Sequence, residues 1–280
     1  MPTYGAVRNI EASKYDEGTV YLTVDAHEMG DFAPYVYKST NYGKSWTKIT
    51  TGIEQGPLSY CRMIKEDPVN PNLLYLGTEN ALYFSLDKGA NWQSLMTNLP
   101  SSPMYWMDIP EHFNDLVVGT YGRGIWILDD LTPLQQFTAD VKKSDMHLFN
   151  PKDAYRLHPV SMVMQFFKEA SFGDDPPAGT SLHYWQSKEV KDSISLVITR
   201  EKGDTIRTLK HKGKPGINRV WWDLKEDPST ALVLRTKPLY ADWVELSEKR
   251  TRKSLVPPMS LLASPGKYTV SLKVGDEVQS

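Results

Sequence analysis

Ser85-Leu86-Asp87-Lys88-Gly89-Ala90-Asn91-Trp92 decides how this chain folds, because the pattern occurs twice. Its counterpart one repeat earlier is Ser39-Thr40-Asn41-Tyr42-Gly43-Lys44-Ser45-Trp46, and both fit Ser-x-Asp/Asn-x-Gly-x-x-Trp. Strand-forming residues flank each copy: Tyr35-Val36-Tyr37 and Ala81-Leu82-Tyr83-Phe84 before, Thr47-Lys48-Ile49 and Gln93-Ser94-Leu95-Met96 after. The octet is therefore a hairpin turn. Asn41 and Asp87 are expected to accept a backbone N–H two residues on, as an Asx-turn. Gly43 and Gly89 supply the positive φ of such a turn. Trp46 and Trp92 return an apolar ring to the core, with an indole N–H that still needs an acceptor. Ser39, Asn41, Gly43, Trp46 and Ser85, Asp87, Gly89, Trp92 thus read as architecture, not chemistry.

The repeat reaches beyond the octets. Residues 6–12 and 19–24 read as strands around a turn at Asp16-Glu17-Gly18. Residues 60–66 and 73–78 repeat that order around Asp67-Pro68-Val69-Asn70-Pro71-Asn72. A third copy runs through 104–109 and 116–120, where Val118-Gly119-Thr120 aligns with Leu76-Gly77-Thr78, and continues through Gly122-Arg123-Gly124 into Ile125-Trp126-Ile127-Leu128. It lacks a box, and Asp129-Asp130-Leu131-Thr132-Pro133 stands in its place. Units of roughly 40–50 residues with four strands each are propeller blades. The expected fold is all-β: a partial β-propeller of three four-stranded blades over 1–140, a linker over 141–180 and a β-sandwich over 181–280. Closed propellers need about four to eight blades, so missing blades are expected from the same parent chain or from another chain. The end, Val278-Gln279-Ser280 after Gly275-Asp276, reads as a sandwich cut short.

The linker holds one apolar piece, 160–167, and the pair Asp174-Asp175 beside two prolines, read as solvated. Beyond it, short runs such as Ile194-Ser195-Leu196-Val197-Ile198 and Thr205-Ile206-Arg207-Thr208-Leu209 flank a Lys202-Gly203-Asp204 turn, the spacing of an antiparallel sandwich. Trp221-Trp222 alternates across a strand, so one ring is expected inside and the other exposed or covered. Leu239, Trp243 and Leu246 at i, i+4, i+7 suggest a helix over 239–253.

The octets resemble the Asp-box, or BNR repeat, of sialidases, sortilin-type receptors and some glycoside hydrolases. Asn41 departs from the usual Asp but keeps an acceptor. Gly122-Arg123-Gly124-Ile125-Trp126-Ile127-Leu128-Asp129-Asp130 resembles the closing segment of large bacterial sortilin-like propeller proteins often labelled glycosyl hydrolases. The second half, through its Lys202-Gly203-Asp204 hairpin, Gly216 to Asp223, and Pro265-Gly266-Lys267-Tyr268, resembles the Ig-like domain of flagellar hook-capping proteins. The resemblance implies a longer bacterial parent, exported to the periplasm or the medium. Such a label rests on fold analogy, which is a weak warrant for function.

Composition excludes several classes. The 280 residues carry a net charge of −2, so no basic surface invites nucleic acid. Cys61 is the sole cysteine, which rules out an internal disulfide or a multi-cysteine zinc site. No apolar run is long enough to span a membrane, and no phosphate loop or nucleophile elbow appears. No cofactor is expected.

The loops opposite the boxes bring Asp25, His27, Glu28, Asp31, Glu54, Glu79, Tyr121 and Arg123 toward one face, with Asp25, Glu79 and Tyr121 at equivalent positions just after each second strand. Glycoside hydrolysis needs two carboxylates roughly 5–10 Å apart, and Asp25, Glu28 and Glu79 are the candidates; solvated loop charge is the competing reading. His27 with Glu28 and Asp31 is a weak cation pattern. Arg123, flanked by glycines, suits a ligand carboxylate or sulfate. Arg8, Arg62 and Arg123 are the only arginines of this half, a poor match to a sialidase. Tyr105, Trp106 and Tyr121 compete between core and sugar platform. The expectation is a binding scaffold for glycans or protein segments. A glycoside hydrolase with its acids in missing blades and a sortilin-like peptide receptor are the alternatives.

Overall fold

A computed structural model describes residues 1–156, 177–190, 194–230, 233–237, 239–240, 243–249, 252–253, 258–275 and 277–280. The apolar piece 160–167 and Asp174-Asp175 lie outside them. The chain divides into two compact units, Met1–Ser144 and Asp145–Ser280.

The first unit holds three antiparallel sheets in chain order. Strands β1 (Ala6–Ala12), β2 (Val20–Ala26), β3 (Asp31–Ser39) and β4 (Thr47–Lys48) form the first blade. Strands β5 (Cys61–Glu66), β6 (Leu74–Thr78), β7 (Leu82–Ser85) and β8 (Gln93–Ser94) form the second. The third has three strands, β9 (Met104–Asp108), β10 (Leu116–Thr120) and β11 (Ile125–Leu128), where the sequence suggested four. The cause is the missing box. Asp130 turns the chain at φ 63°, and Pro133 opens the short helix α1 (Thr132–Gln136) instead of a fourth strand. Helix α2 (Ala139–Lys143) follows, its first turn capped by Thr138 Oγ1, which accepts from Val141 N. Gln135 of α1 donates to both carboxylate oxygens of Asp67, at 3.2 and 3.1 Å, so the helix is tied back to the turn of the second blade.

Both boxes close as turns, with one difference from expectation. Ser39 Oγ and Ser85 Oγ, not the Asx side chains, accept the glycine N–H, each at 2.9 Å. Asn41 Oδ1 and Asp87 Oδ1 reach four residues on, to Ser45 N at 2.9 Å and Asn91 N at 2.8 Å. The Asx group is farther away because the chain turns left twice. Tyr42 (φ 58°) precedes Gly43 (φ 78°), and Lys88 (φ 57°) precedes Gly89 (φ 86°).

Blades pack face to face because their strands alternate. Tyr21, Val36 and Ile49 of the first blade meet Ile64, Leu76, Tyr83 and Trp92 of the second. Met63, Leu73, Tyr75 and Leu82 on the opposite face of the second blade meet Met104, Met107, Leu116 and Val118 of the third. Trp92 completes the first seam: its indole Nε1 donates to Ile49 O at 2.9 Å. Gly77 is required at the second seam, since a Cβ there would stand 2.7 Å from both Cβ and the carbonyl oxygen of Met104. Its equivalent, Gly119, has 3.6 Å of room. Gly77→Ala is expected to destabilise the chain by about 1–3 kcal/mol, and Gly119→Ala to stay within about 0.5 kcal/mol. Urea unfolding of the two variants checks this, and equal costs would contradict the seam.

In the second unit, two antiparallel sheets enclose a core, and a two-stranded pair lies beside them among the described residues. One runs β12 (Met146–Leu148), β13 (Thr180–Gln186), β16 (Gly216–Trp222); the other runs β15 (Thr205–His211), β14 (Ile194–Arg200), β19 (Tyr268–Val274), β20 (Glu277–Gln279). Leu182, Tyr184 and Trp222 from the first sheet meet Ile194, Leu196, Ile198 and Leu272 from the second. Trp222 is buried and Trp221 half-buried, as strand alternation requires. The helix expected over 239–253 is a correction. Its described residues hold no helix, Leu239 and Trp243 are 81 % and 79 % exposed, and β18 (Arg252–Lys253) pairs with β17 (Val233–Leu234). An apolar stripe with no surface to face does not hold a helix.

Candidate functional site

The site is built by a repeated irregularity. Each blade's innermost strand carries a one-residue bulge against its neighbour, and the residue skipped by the pairing is Arg8 in β1, Arg62 in β5 and Tyr105 in β9. A bulge bends its strand and re-aims a side chain. Here it turns three equivalent side chains toward the ends of the second strands, where Asp25, Glu79 and Tyr121 stand. Asp25 lies inside β2, paired with Ala6, one correction to its expected place beyond the strand.

The resulting contacts run from blade to blade. Arg8 Nε donates to Asp25 Oδ2 at 3.0 Å, and Arg62 Nε and Nη2 both reach Glu79 Oε2 at 2.7 Å. Arg62 Nη1 crosses to Asp25 Oδ2 of the preceding blade at 3.3 Å. Its guanidinium lies over Tyr60, 4.9 Å from the ring centroid, and over Tyr105, at 5.3 Å. Tyr105 and Tyr121 repeat the pairing in apolar form, with ring centroids 5.9 Å apart. The His27 ring stacks on Tyr60 at 4.5 Å.

Electrostatics follow from these contacts. Burial of the Asp25 carboxyl drives its pKa up, but hydrogen bonds from the backbone N–H and ring of His27 and from Arg8 outweigh it and leave the pKa below the usual carboxylate value. Asp25 is therefore ionised, and the His27 Nδ1 that meets it at 2.7 Å carries a proton. Burial also opposes the charge of Arg62, yet Glu79 and Asp25 raise its pKa above the ordinary value. Burial raises the pKa of Tyr60, with Glu79 adding to it.

The other expected residues divide between this network and solvent. Glu28 is exposed and stands 3.7 Å from Arg8. Asp31 accepts from the Tyr35 hydroxyl at 2.6 Å, and Glu54 is exposed. Among the described residues, no three His, Cys, Asp or Glu side chains are grouped to hold a metal ion. Arg123 is exposed between Gly122 (φ 79°) and Gly124 (φ 77°), and its carbonyl accepts from Trp126 Nε1 at 2.9 Å. Tyr105 and Tyr121 are 52 % and 73 % exposed, and Trp106, 66 % exposed, shares the outer face of the third blade with Ile125 through Gly119. Sequence reasoning missed Arg8, Arg62 and Tyr60 as members of the site. The available signal was spacing: Arg8 precedes Asp25, and Arg62 precedes Glu79, by the same 17 residues.

A solved structure matches part of the chain. It is the crystal structure of an ancestral GH74 enzyme, 12 % identical, with a TM-score of 0.31, covering 74 % of this chain and 27 % of that one. No family model and no curated protein matches the sequence. This chain spans about a quarter of the length of that enzyme's chain.

Proposed function

We propose that the first unit is a section of a β-propeller whose mouth binds glycans or extended protein segments without cleaving them, as part of an exported protein. One observation carries the reading: both mouth carboxylates are bound to the same arginine, while the aromatics beside them are open. A general acid must hold a proton near neutral pH. Asp25 is held ionised by Arg8, Arg62 and His27, and Glu79 is engaged by Arg62. A glycoside hydrolase would need its acid from residues other than these two.

Two surfaces support the larger propeller. The outer face of the first blade shows Val7 and Ile10, 53 % and 64 % exposed, with Trp46 only half-buried. The outer face of the third blade shows Ile125 and Ile127, 74 % and 57 % exposed. Neighbouring blades would cover these rows as the second blade covers the first, whether they come from the same parent or another chain. Binding to glycan and peptide arrays tests the mouth. Tyr105→Ala and Tyr121→Ala are each expected to weaken the retained ligand about tenfold, roughly 1.4 kcal/mol. The class of array that retains the protein separates a sugar ligand from a sortilin-like peptide ligand. Turnover of a glycan abolished by Glu79→Gln would overturn the non-catalytic reading.

A further inference from the structure

A second cleft lies at the box turns, between the first two blades. It has a volume of about 320 Å³ and is lined by Lys38, Thr40, Ser45 and Thr47 of the first blade and by Asp87 and Lys88 of the second. We propose that this cleft binds a tetrahedral oxyanion, a phosphate or sulfate group.

Lys38 and Lys88 both line this cleft. Lys38 is half-buried, with its Nζ 5.7 Å from the Tyr21 ring centroid, and neither lysine forms an ion pair among the described residues. Lys38 has its pKa lowered by burial and then by the charge of Lys88, so the native fold holds two cations together at a cost. Asp16 acts through space on both lysines, as does Glu66, without an ion pair to either among the described residues. One carboxylate lines the cleft: burial raises the pKa of Asp87, but hydrogen bonds from Asn91 and Ser85 outweigh it and keep Asp87 ionised, with its oxygens turned to Ser85 Oγ at 2.7 Å, Asn91 N at 2.8 Å and Asn91 Nδ2 at 2.8 Å, so its charge offsets one of the two lysines.

The departure of the first box from its pattern fits the same purpose. Asn41 replaces a carboxylate beside the cleft and donates through Nδ2 to Ser45 Oγ at 2.8 Å. That leaves the Ser45 hydroxyl proton free to serve an anion. With Asp at this position the proton would turn back to the carboxylate, as Asn91 Nδ2 does toward Asp87 in the second box. Thr40 and Thr47 add two exposed hydroxyls. A phosphate or sulfate brings several acceptor oxygens and a negative charge to lysine and hydroxyl donors.

Thermal unfolding of the chain in sodium sulfate, in sodium phosphate and in sodium chloride of equal ionic strength tests the site. Wild type is expected to gain about 3 °C, saturably, in sulfate or phosphate over chloride. Lys88→Gln, at an exposed position, and Asn41→Asp, which restores the box pattern, should each lose most of that gain. Lys38→Met should lose it as well and unfold at a higher temperature than wild type in chloride, because the crowded ammonium is gone. Glucose 6-sulfate and inorganic sulfate, titrated separately by calorimetry, tell an ester from a free anion, and saturable binding of either supports the site. A gain that persists undiminished in Lys88→Gln and Asn41→Asp, or no saturable gain in wild type, overturns it.

Discussion

Trp92→Ala is expected to destabilise the first unit by about 3–5 kcal/mol, while Trp46→Ala, at the same place in the other box, is expected to cost about 1 kcal/mol. The local turns are alike, so propensity cannot separate the two substitutions. What differs is the neighbour. Trp92 is 3 % exposed in the seam between blades, and its Nε1 is the partner of the Ile49 carbonyl, while its backbone N donates to Thr51 O at 2.8 Å. Truncation there removes a large buried ring, leaves a cavity between two sheets, and strands a carbonyl that the ring had satisfied. Trp46 packs on the outer face of the first blade, beside Leu22, Val24 and Tyr37, with no blade beyond it among the described residues. Urea unfolding of both variants gives the comparison directly. Equal losses would mean that each tryptophan acts within its own blade. A further blade docked on that face should raise the cost of Trp46→Ala toward that of Trp92→Ala.

The boxes were legible because their chemistry is local. Ser39 and Ser85, the glycines and the tryptophans announce a turn whatever surrounds them, and alternation in 35–37 and 81–84 marks the strands on either side. The mouth was legible in part. Asp25, Glu79 and Tyr121 follow from aligning the second strands, but their partners Arg8, Arg62 and Tyr105 depend on bulges. A bulge is a property of pairing between two strands and leaves no trace in the alternation of either. The helix over 239–253 failed for the opposite reason. Three apolar residues at helical spacing were read without knowing whether a core faced them, and Leu239 and Trp243 stand exposed. The end of the third blade fell between these cases: the missing box was visible, but its replacement by α1, held through Gln135 to Asp67, is a tertiary contact no local pattern encodes.

Arg62→Met should cost about 3–5 kcal/mol at pH 7, and most of that cost should disappear in acid. The guanidinium is 11 % exposed and is shared between Asp25, whose side chain is fully buried, and Glu79, at 17 %. Removing it leaves two carboxylates of adjacent blades close together, with Arg8 and His27 near only one of them. In wild type the folded pKa of Asp25 lies below its unfolded value, so its contribution to stability is present above the unfolded pKa and lost as pH falls through the folded one. Without Arg62 the pKa of the buried Asp25 moves up, and Asp25 then favours the folded state more as pH falls and protonation removes its uncompensated charge. The gap between wild type and variant should therefore narrow between about pH 6 and pH 4. Arg62→Lys keeps a charge but cannot meet Glu79 through two nitrogens while keeping a guanidinium near the Tyr60 and Tyr105 rings, and should restore only part of the loss. In the double variant Arg62→Met/Glu79→Gln, one stranded charge is gone, so the costs should be less than additive. A loss under about 1 kcal/mol for Arg62→Met, or the same loss at pH 7 and pH 4, would show that the arginine does not neutralise this pair. The mouth carboxylates would then be free for acid–base work, and the binding reading would give way to the hydrolytic one.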